Sequence, residues 1–343
     1  MTDNLSIQQL IQLQDTRQFD TVVVLTDANL DMLYPGYLQE VAGHVTRRYA
    51  KIVIPAGEES KSLHQVERIC TELMEMGCDK NTCIVNFGGG MVCDLGGFIA
   101  SIYKRGIAHI NYPTTLMAML DAAIGGKTGV NVSYAKNIVG VIRQPLAVIG
   151  PDMNLLHTLS SENLHSGFGE MIKTALIGLP SIFHSLCALD VLSAQSLKEE
   201  WIEQCAEFKR KVVEVDPEDH DCRHILNFGH TVGHAIESWL LEQNIPVPHG
   251  VAVAEGLFHE VSLSHSHGIL PEDEMRLVQR LIRRFYERID IGSGFDRIMY
   301  YMRQDKKNRE GRINFTLLDT IGKARPDCLI EAEQVRAFFQ RGL

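Results

Sequence analysis

No stretch of this 343-residue chain approaches the roughly 18 consecutive apolar residues that a membrane-spanning helix needs. The opening MTDNLSIQQLIQLQDTRQ lacks a basic start followed by an apolar core, so it does not read as a secretory signal. The eight cysteines contain no C-x-x-C pair, which argues against a structural zinc knuckle. A disulfide framework is not expected in a chain of this length without secretory context. An excess of positive charge is missing too. The net charge of -10 sets aside nucleic acid and acidic membranes as main partners. No internal repeat or low-complexity linker is visible. What remains is a reduced, cytoplasmic, globular protein. At 45% hydrophobic residues, the chain is long enough for two domains.

Short β-branched runs at 21–25 (TVVVL), 51–54 (KIVI), 83–87 (CIVNF), 107–112 (IAHINY) and 146–149 (LAVI) read as buried strands of a parallel sheet. Helical patterns such as 62–77 separate them. The first half is therefore expected to be a doubly wound α/β domain with a parallel sheet. From about residue 159 helical patterns dominate, and Ser160 and Ser161 are candidate caps for a helix over 162–177. The expected domains are 1–157 and 158–343, the second mostly α-helical.

Ligands of parallel sheets bind beyond the carboxyl ends of the strands. Asp27, just past TVVVL, is placed to accept hydrogen bonds from a ribose. Glu58 and Lys61 lie in a G-E-E-S-K turn after another strand, where a surface i,i+3 pair is the default reading. After CIVNF stands GGGMVCDLGGF. Its glycines let backbone N–H groups approach a pyrophosphate, and the following helix adds its positive end. The dinucleotide fingerprint G-x-G-x-x-G needs glycine where Cys93 stands, so a tight strand-to-helix turn is the competing reading. In YPTTLMAMLDAAIGGKTGVN, Thr114 and Thr115 are candidate nucleotide contacts. Asp121, Lys127 and the nearby Lys136–Asn137 add charge and amide groups suited to phosphate or carboxylate.

The densest polar pattern is ILNFGHTVGHAIE at 225–237. Asn227, His230, His234 and Glu237 follow at offsets of three, four and three, one face of a helix. Gly229 and Gly233 would each cost that helix about 1 kcal/mol relative to alanine, which makes sense if the backbone approaches something closely. A metal, an anionic ligand or a satisfied interior histidine pair all fit this face. Glu170 and Lys173 stand i,i+3 on the first helix of the second half, by default a structural ion pair. A carboxylate joined by His230 and by His249 of PVPHG is also a plausible catalytic metal set. Three such ligands leave a position for substrate hydroxyls.

Taken together, GGGMVCDLGGF, KRGI, PTTLMAMLDAAIGGKTGVN, AKN, GEMIK, ILNFGHTVGHAIE, HGVAVAEG and DKKN resemble the 3-dehydroquinate synthase family, in family order over about residues 26–322. The resemblance implies a Rossmann-like, NAD-binding first domain, a mostly helical, metal-binding second domain and a homodimer. It implies Zn2+, with Co2+ as a possible substitute, bound by Glu170, His230 and His249. It assigns the NAD site to Asp27, Asn29, Glu58, Lys61, Gly89, Gly90, Asp94, Thr114 and Thr115, together with Lys127 and Lys136. It assigns the substrate site to Arg105, Asp121, Lys127, Lys136, Asn137, Lys173, Lys209, Arg223, Asn227 and His234. Either Lys306 or Lys307 joins them, with Lys306 preferred. The implied substrate is the sugar phosphate 3-deoxy-D-arabino-heptulosonate 7-phosphate. The implied course is transient oxidation by NAD, phosphate elimination, re-reduction, ring opening and intramolecular aldol closure.

Close alternatives are another sugar phosphate cyclase and a metal-dependent polyol dehydrogenase. Cys93, Val251 and Tyr134–Ala135 depart from the family pattern. None of these departures removes an implied metal ligand.

Overall fold

Val22, Val23, Val24 and Leu25 are all buried, a run that suits a strand covered on both faces. In the computed structural model they form β1 (Thr21–Asp27). The structure describes residues 8–10, 12–13, 19–38, 48–132, 135–305 and 307–342. Two compact units divide at Met1–Leu159 and Ser160–Leu343.

In the first unit β1 is followed by α1 (Ala28–Leu33), β2 (Arg48–Ile54), α2 (Leu63–Glu75), β3 (Thr82–Gly88), α3 (Gly90–Ile102), β4 (Ala108–Pro113), β5 (Lys127–Val132), β6 (Ala135–Ile142) and β7 (Ala147–Val148). The five apolar runs read from the sequence are the five strands of one parallel sheet, ordered β2-β1-β3-β4-β7. Leu25, Ile52 and Ile84 of the sheet pack with Ile69 and Leu73 of α2 and with Leu95 and Ile99 of α3. Full burial of such a side chain contributes about 1.5–3 kcal/mol. The chain passes from β1 to β2 on one side and then to β3 on the other. The carboxyl ends of β1 and β3 therefore form the switch point where such sheets take ligands. Asp27 and Gly88 end those two strands. Outside this sheet β5 and β6 form an antiparallel hairpin that the sequence reading did not contain.

The second unit runs α4 (Ser161–Gly178), α5 (Pro180–Cys187), α6 (Glu199–Val215), a 3-10 segment (Cys222–Asn227), α7 (His230–Glu242), α8 (His249–Ser266), α9 (Glu272–Phe285), α10 (Phe295–Arg303), β8 (Arg312–Thr320), β9 (Lys323–Glu331) and α11 (Ala332–Gly342). Ser160 caps α4 by accepting from the Asn163 N–H. The core joins Ile236 and Trp239 of α7, Ile298 and Met302 of α10, and Ile313 and Phe315 of β8. The β8–β9 hairpin adds to a unit otherwise read as helical. No helix among the described residues is long and apolar enough to cross a membrane.

One local expectation is corrected. The stretch 225–237 is not a continuous helix, because Gly229 adopts a left-handed φ of 80° and α7 starts only at His230. Asn227 therefore lies on the preceding 3-10 segment and does not share the α7 face.

Candidate functional site

In the second unit, three helices approach one another through glycine. A Cβ at Gly169 of α4 would lie 2.1 Å from the Gly250 oxygen, and one at Gly250 of α8 would lie 1.8 Å from the Ser166 oxygen. A Cβ at Gly256 would lie 1.9 Å from the oxygen of Gly229, just before α7. Only bare backbone permits α4 and α7 to lie this close to α8. Glu170, His230 and His249 are the chain neighbours of Gly169, Gly229 and Gly250, so the same close packing gathers them. Gly233 also belongs to this packing, since its Cβ would meet Ala252 O at 3.0 Å. What the glycines approach closely is a neighbouring helix.

Glu170 Oε1 lies 3.4 Å from His230 Nε2 and 3.3 Å from His249 Nε2. A four-coordinate ion with bonds of about 2.0–2.1 Å holds its ligand atoms about 3.3–3.4 Å apart. The spacing fits one ion. Glu170 is fully buried, and neither oxygen has a hydrogen bond of ordinary geometry. The Lys173 ammonium is 2.6 Å from Oε2 but lies off the directions of such a bond. A buried carboxylate of this kind calls for cations.

The outer nitrogens of both rings are engaged. His230 Nδ1 lies 3.1 Å from the Phe228 carbonyl oxygen, and His249 Nδ1 lies 3.1 Å from Glu237 Oε2. Such partners fix the tautomer and turn Nε2 toward a metal. Glu237 was read only as part of a polar face; its carboxylate orients His249. The signal available in the sequence was its position seven residues after His230. Glu260 of α8 supports the same centre by accepting from Gly229 N at 2.6 Å and Val232 N at 3.0 Å, thereby capping α7.

Burial raises the Glu170 carboxyl, but the Lys173 ammonium and both histidines outweigh it, holding the group well below the usual range. Burial lowers His249, and Glu170 and Glu237 reverse this, bringing it up to about 10.

His234 is exposed, its ring 5.0 Å from His230 and 5.4 Å from His249. The ligand atoms of these three histidines lie within 4.8 Å of one another. His230 and His249 also lie 3.3–3.4 Å from the Glu170 carboxylate, so the centre is read on those three, with His234 as its neighbour. Lys173, Lys209 and Arg223 are buried cations of the same unit. Arg223 donates through Nη1 to Pro217 O at 2.9 Å. Asn227 is half-buried, and Lys307 lies 3.3 Å from Asp305 Oδ2. Lys306 lies outside the described residues, as does Tyr134.

The first unit carries a second constellation. The i,i+3 pair with Glu58 is present at 3.9 Å, but its cation Lys61 is buried. Its ammonium meets Asp94 Oδ2 at 2.5 Å and also donates to Asn137 Oδ1. Asn131 links this group, donating to Glu58 at 2.9 Å and accepting from Asn137 N at 2.9 Å. Asp27 caps α1, accepting from Asn29 N and Leu30 N at 2.9 and 3.2 Å. Gly89 and Gly90 open α3, and each Cβ would meet a neighbour at 3.0 Å: the Thr115 methyl and the Ala122 methyl. The Thr114 hydroxyl is buried without a partner among the described residues. A bare helix start beside an unspent hydroxyl suits a nucleotide phosphate. The Cys93 thiol is buried beside Ala118 and Ala123 and donates to the Gly88 carbonyl oxygen at the foot of this turn at 3.9 Å. Arg105, Lys127 and Lys136 are exposed, and Asp121 is half-buried.

Residues 51–166 match the family model described as 3-dehydroquinate synthase N-terminal, and 167–308 match 3-dehydroquinate synthase C-terminal. The chain is 36% identical over 329 residues to the 3-dehydroquinate synthase of Parabacteroides distasonis, covering 94% of this chain and 92% of the relative. It is 39% identical over 315 residues to that of Blochmanniella floridana, covering 89% and 85%. Among solved structures, it resembles a 2-deoxy-scyllo-inosose synthase complexed with carbaglucose-6-phosphate, NAD+ and Co2+. That match has a TM-score of 0.85 and 24% identity, covering 99% of this chain and 95% of the other.

Proposed function

The chain belongs to the 3-dehydroquinate synthase family, and on that premise we propose that it converts 3-deoxy-D-arabino-heptulosonate 7-phosphate to 3-dehydroquinate and phosphate. This is a phosphorus-oxygen lyase reaction, the second step of the shikimate pathway. The observation that carries the reading is the Glu170–His230–His249 set, spaced at 3.3–3.4 Å for one ion.

Bound NAD would supply reversible hydride transfer, and zinc or cobalt would polarise a substrate oxygen. The chain's own groups do the rest. The first domain holds NAD through Asp27, Asn29, Glu58, Lys61, Gly89, Gly90, Asp94, Thr114 and Thr115. The second holds the metal on Glu170, His230 and His249, with Glu237 orienting His249. Arg223, buried and cationic, suits the substrate carboxylate. Lys173, Lys209, Asn227 and His234 orient the phosphate and hydroxyls, and the exposed ring of His234 can pass a proton. Arg105, Asp121, Lys127, Lys136, Asn137 and one of Lys306 or Lys307 complete the set that recognises the anionic substrate.

We place the enzyme in the cytoplasm, in keeping with its eight free thiols. We also propose a homodimer. Ile138, Val139, Val141 and Ile142 of β6 are exposed at 64%, 36%, 40% and 38%, an apolar edge suited to a second copy. Ile138→Lys is expected to yield a monomer in light scattering; an unchanged mass would remove β6 from the interface.

The activity test is phosphate release from the named sugar phosphate with NAD and zinc, followed together with NADH absorbance. Release without net NADH, abolished by a chelator, is expected. No release would point to another sugar phosphate. NADH accumulating with a polyol would replace the reading by a dehydrogenase.

A further inference from the structure

His224 follows Arg223 in the 3-10 segment, and the proposed chemistry gives it no task. Its ring lies between two acceptors. Nδ1 is 3.1 and 3.0 Å from the two carboxylate oxygens of Asp327, and Nε2 is 3.1 Å from the Asp219 carbonyl oxygen. A carbonyl oxygen and an ionised carboxylate only accept hydrogen bonds, so both ring nitrogens must donate. Serving both acceptors at once takes the imidazolium form, which then cross-links the loop after α6 to β9.

The other end of the link is built to receive it. Pro326 and Asp327 together oppose Thr316 in the β8–β9 ladder, a bulge, and Asp327 has a left-handed φ of 57°. Bulges re-aim side chains, and this one turns Asp327 toward the 3-10 segment. Asn314 of β8 donates to Asp327 Oδ1 at 2.7 Å, and its carbonyl accepts from Thr231 of α7 at 2.9 Å. Thr316 donates to the His224 carbonyl oxygen at 2.9 Å. The hairpin thus ties the Arg223 segment to the helix that starts with His230. From the other side, Asp216 accepts from the backbone N–H groups of His220, Asp221 and Arg223 at 2.8–3.0 Å.

We propose that His224, clamped between Asp219 and Asp327, is a positioning residue that holds Cys222–Asn227 so that Arg223 and Asn227 are preorganised for the anionic substrate. This rests on the substrate reading given above. Ordering the segment in advance removes a cost that binding would otherwise bear.

The test uses the full-length, zinc-loaded enzyme with His224→Phe, Asp327→Ala and the double variant. Phenylalanine keeps a ring but removes both donors. Loss of a charge-assisted hydrogen bond should raise KM for the sugar phosphate about tenfold, with kcat little changed. The double variant should be no worse than either single one, because both break the same link. Amide exchange of peptides spanning 219–227 should quicken in all three variants and stay unchanged in α9. An unchanged KM, a fall in kcat alone, or additive effects would overturn the positioning role. Unchanged exchange over 219–227 would overturn the clamp itself. If the unaltered enzyme releases no phosphate, the proposed function fails, and the exchange comparison still decides the clamp.

Discussion

At the scale of single residues, the site is held by groups that never touch substrate. Glu237 accepts from His249 Nδ1, and replacing it with Gln keeps the size but loses the charge. Zinc affinity of Glu237→Gln should fall about 10–100-fold, measured by competition with a chromophoric chelator; unchanged affinity would mean that His249 is oriented by packing alone. Cys93 breaks the glycine fingerprint, yet its thiol is buried beside Ala118 and Ala123 and against the Gly88 carbonyl oxygen, inside the fold. Cys93→Gly should therefore keep NAD affinity in titration while losing about 1–2 kcal/mol in urea unfolding, from helix propensity and a small void. For His224, burial lowers the imidazole, but Asp327 and Asp219 raise it further, to above 6.5. A raised pKa means that the link is complete below pH 6.5 and is lost as pH rises through the folded value. Arg309 also acts on Asp327. Proton NMR should find the His224 ring titrating above 6.5, and closer to 6.5 in Asp327→Ala. The candidate ligands could be picked out in the sequence because histidines and a carboxylate are chemically distinctive. The sequence could not show Asp327 as the partner of His224, because 103 residues separate them.

At the scale of elements, the five parallel strands were legible because buried β-branched runs admit few other readings. The two hairpins were not. KTGVNV in β5 has the composition of a turn, and KARPDCLIE in β9 carries a proline and a bulge that break alternation. The break at Gly229 was hidden because His230 and His234 keep helical spacing on either reading. The close helix contacts were signalled by glycine, but their target was not. Gly250→Ala tests the packing argument. The new Cβ would lie 1.8 Å from the Ser166 oxygen, so α4 and α8 must separate and carry Glu170 away from His249. The variant should bind much less than one zinc per chain in elemental analysis while keeping its helical circular dichroism. Full zinc occupancy would show that the centre tolerates a wider helix spacing.

At the scale of the whole molecule, the proposed chemistry divides between two units with different chemical equipment. Met1–Leu159 offers a switch point, a bare helix start and an unspent Thr114 hydroxyl, all suited to a dinucleotide. Ser160–Leu343 offers a buried carboxylate between two histidines, suited to an ion. A ligand stabilises the state it binds by RT ln(1 + [L]/Kd), about 2.7 kcal/mol at a hundredfold excess over Kd. NAD should therefore slow amide exchange around β1, β3 and the start of α3. A chelator should quicken exchange at the starts of α7 and α8, where His230 and His249 are the first residues. Hydrogen-exchange mass spectrometry on the same preparation reads both. NAD protection confined to α7 and α8, or chelator effects confined to β1 and β3, would reverse the assignment of cofactor and metal to the two units.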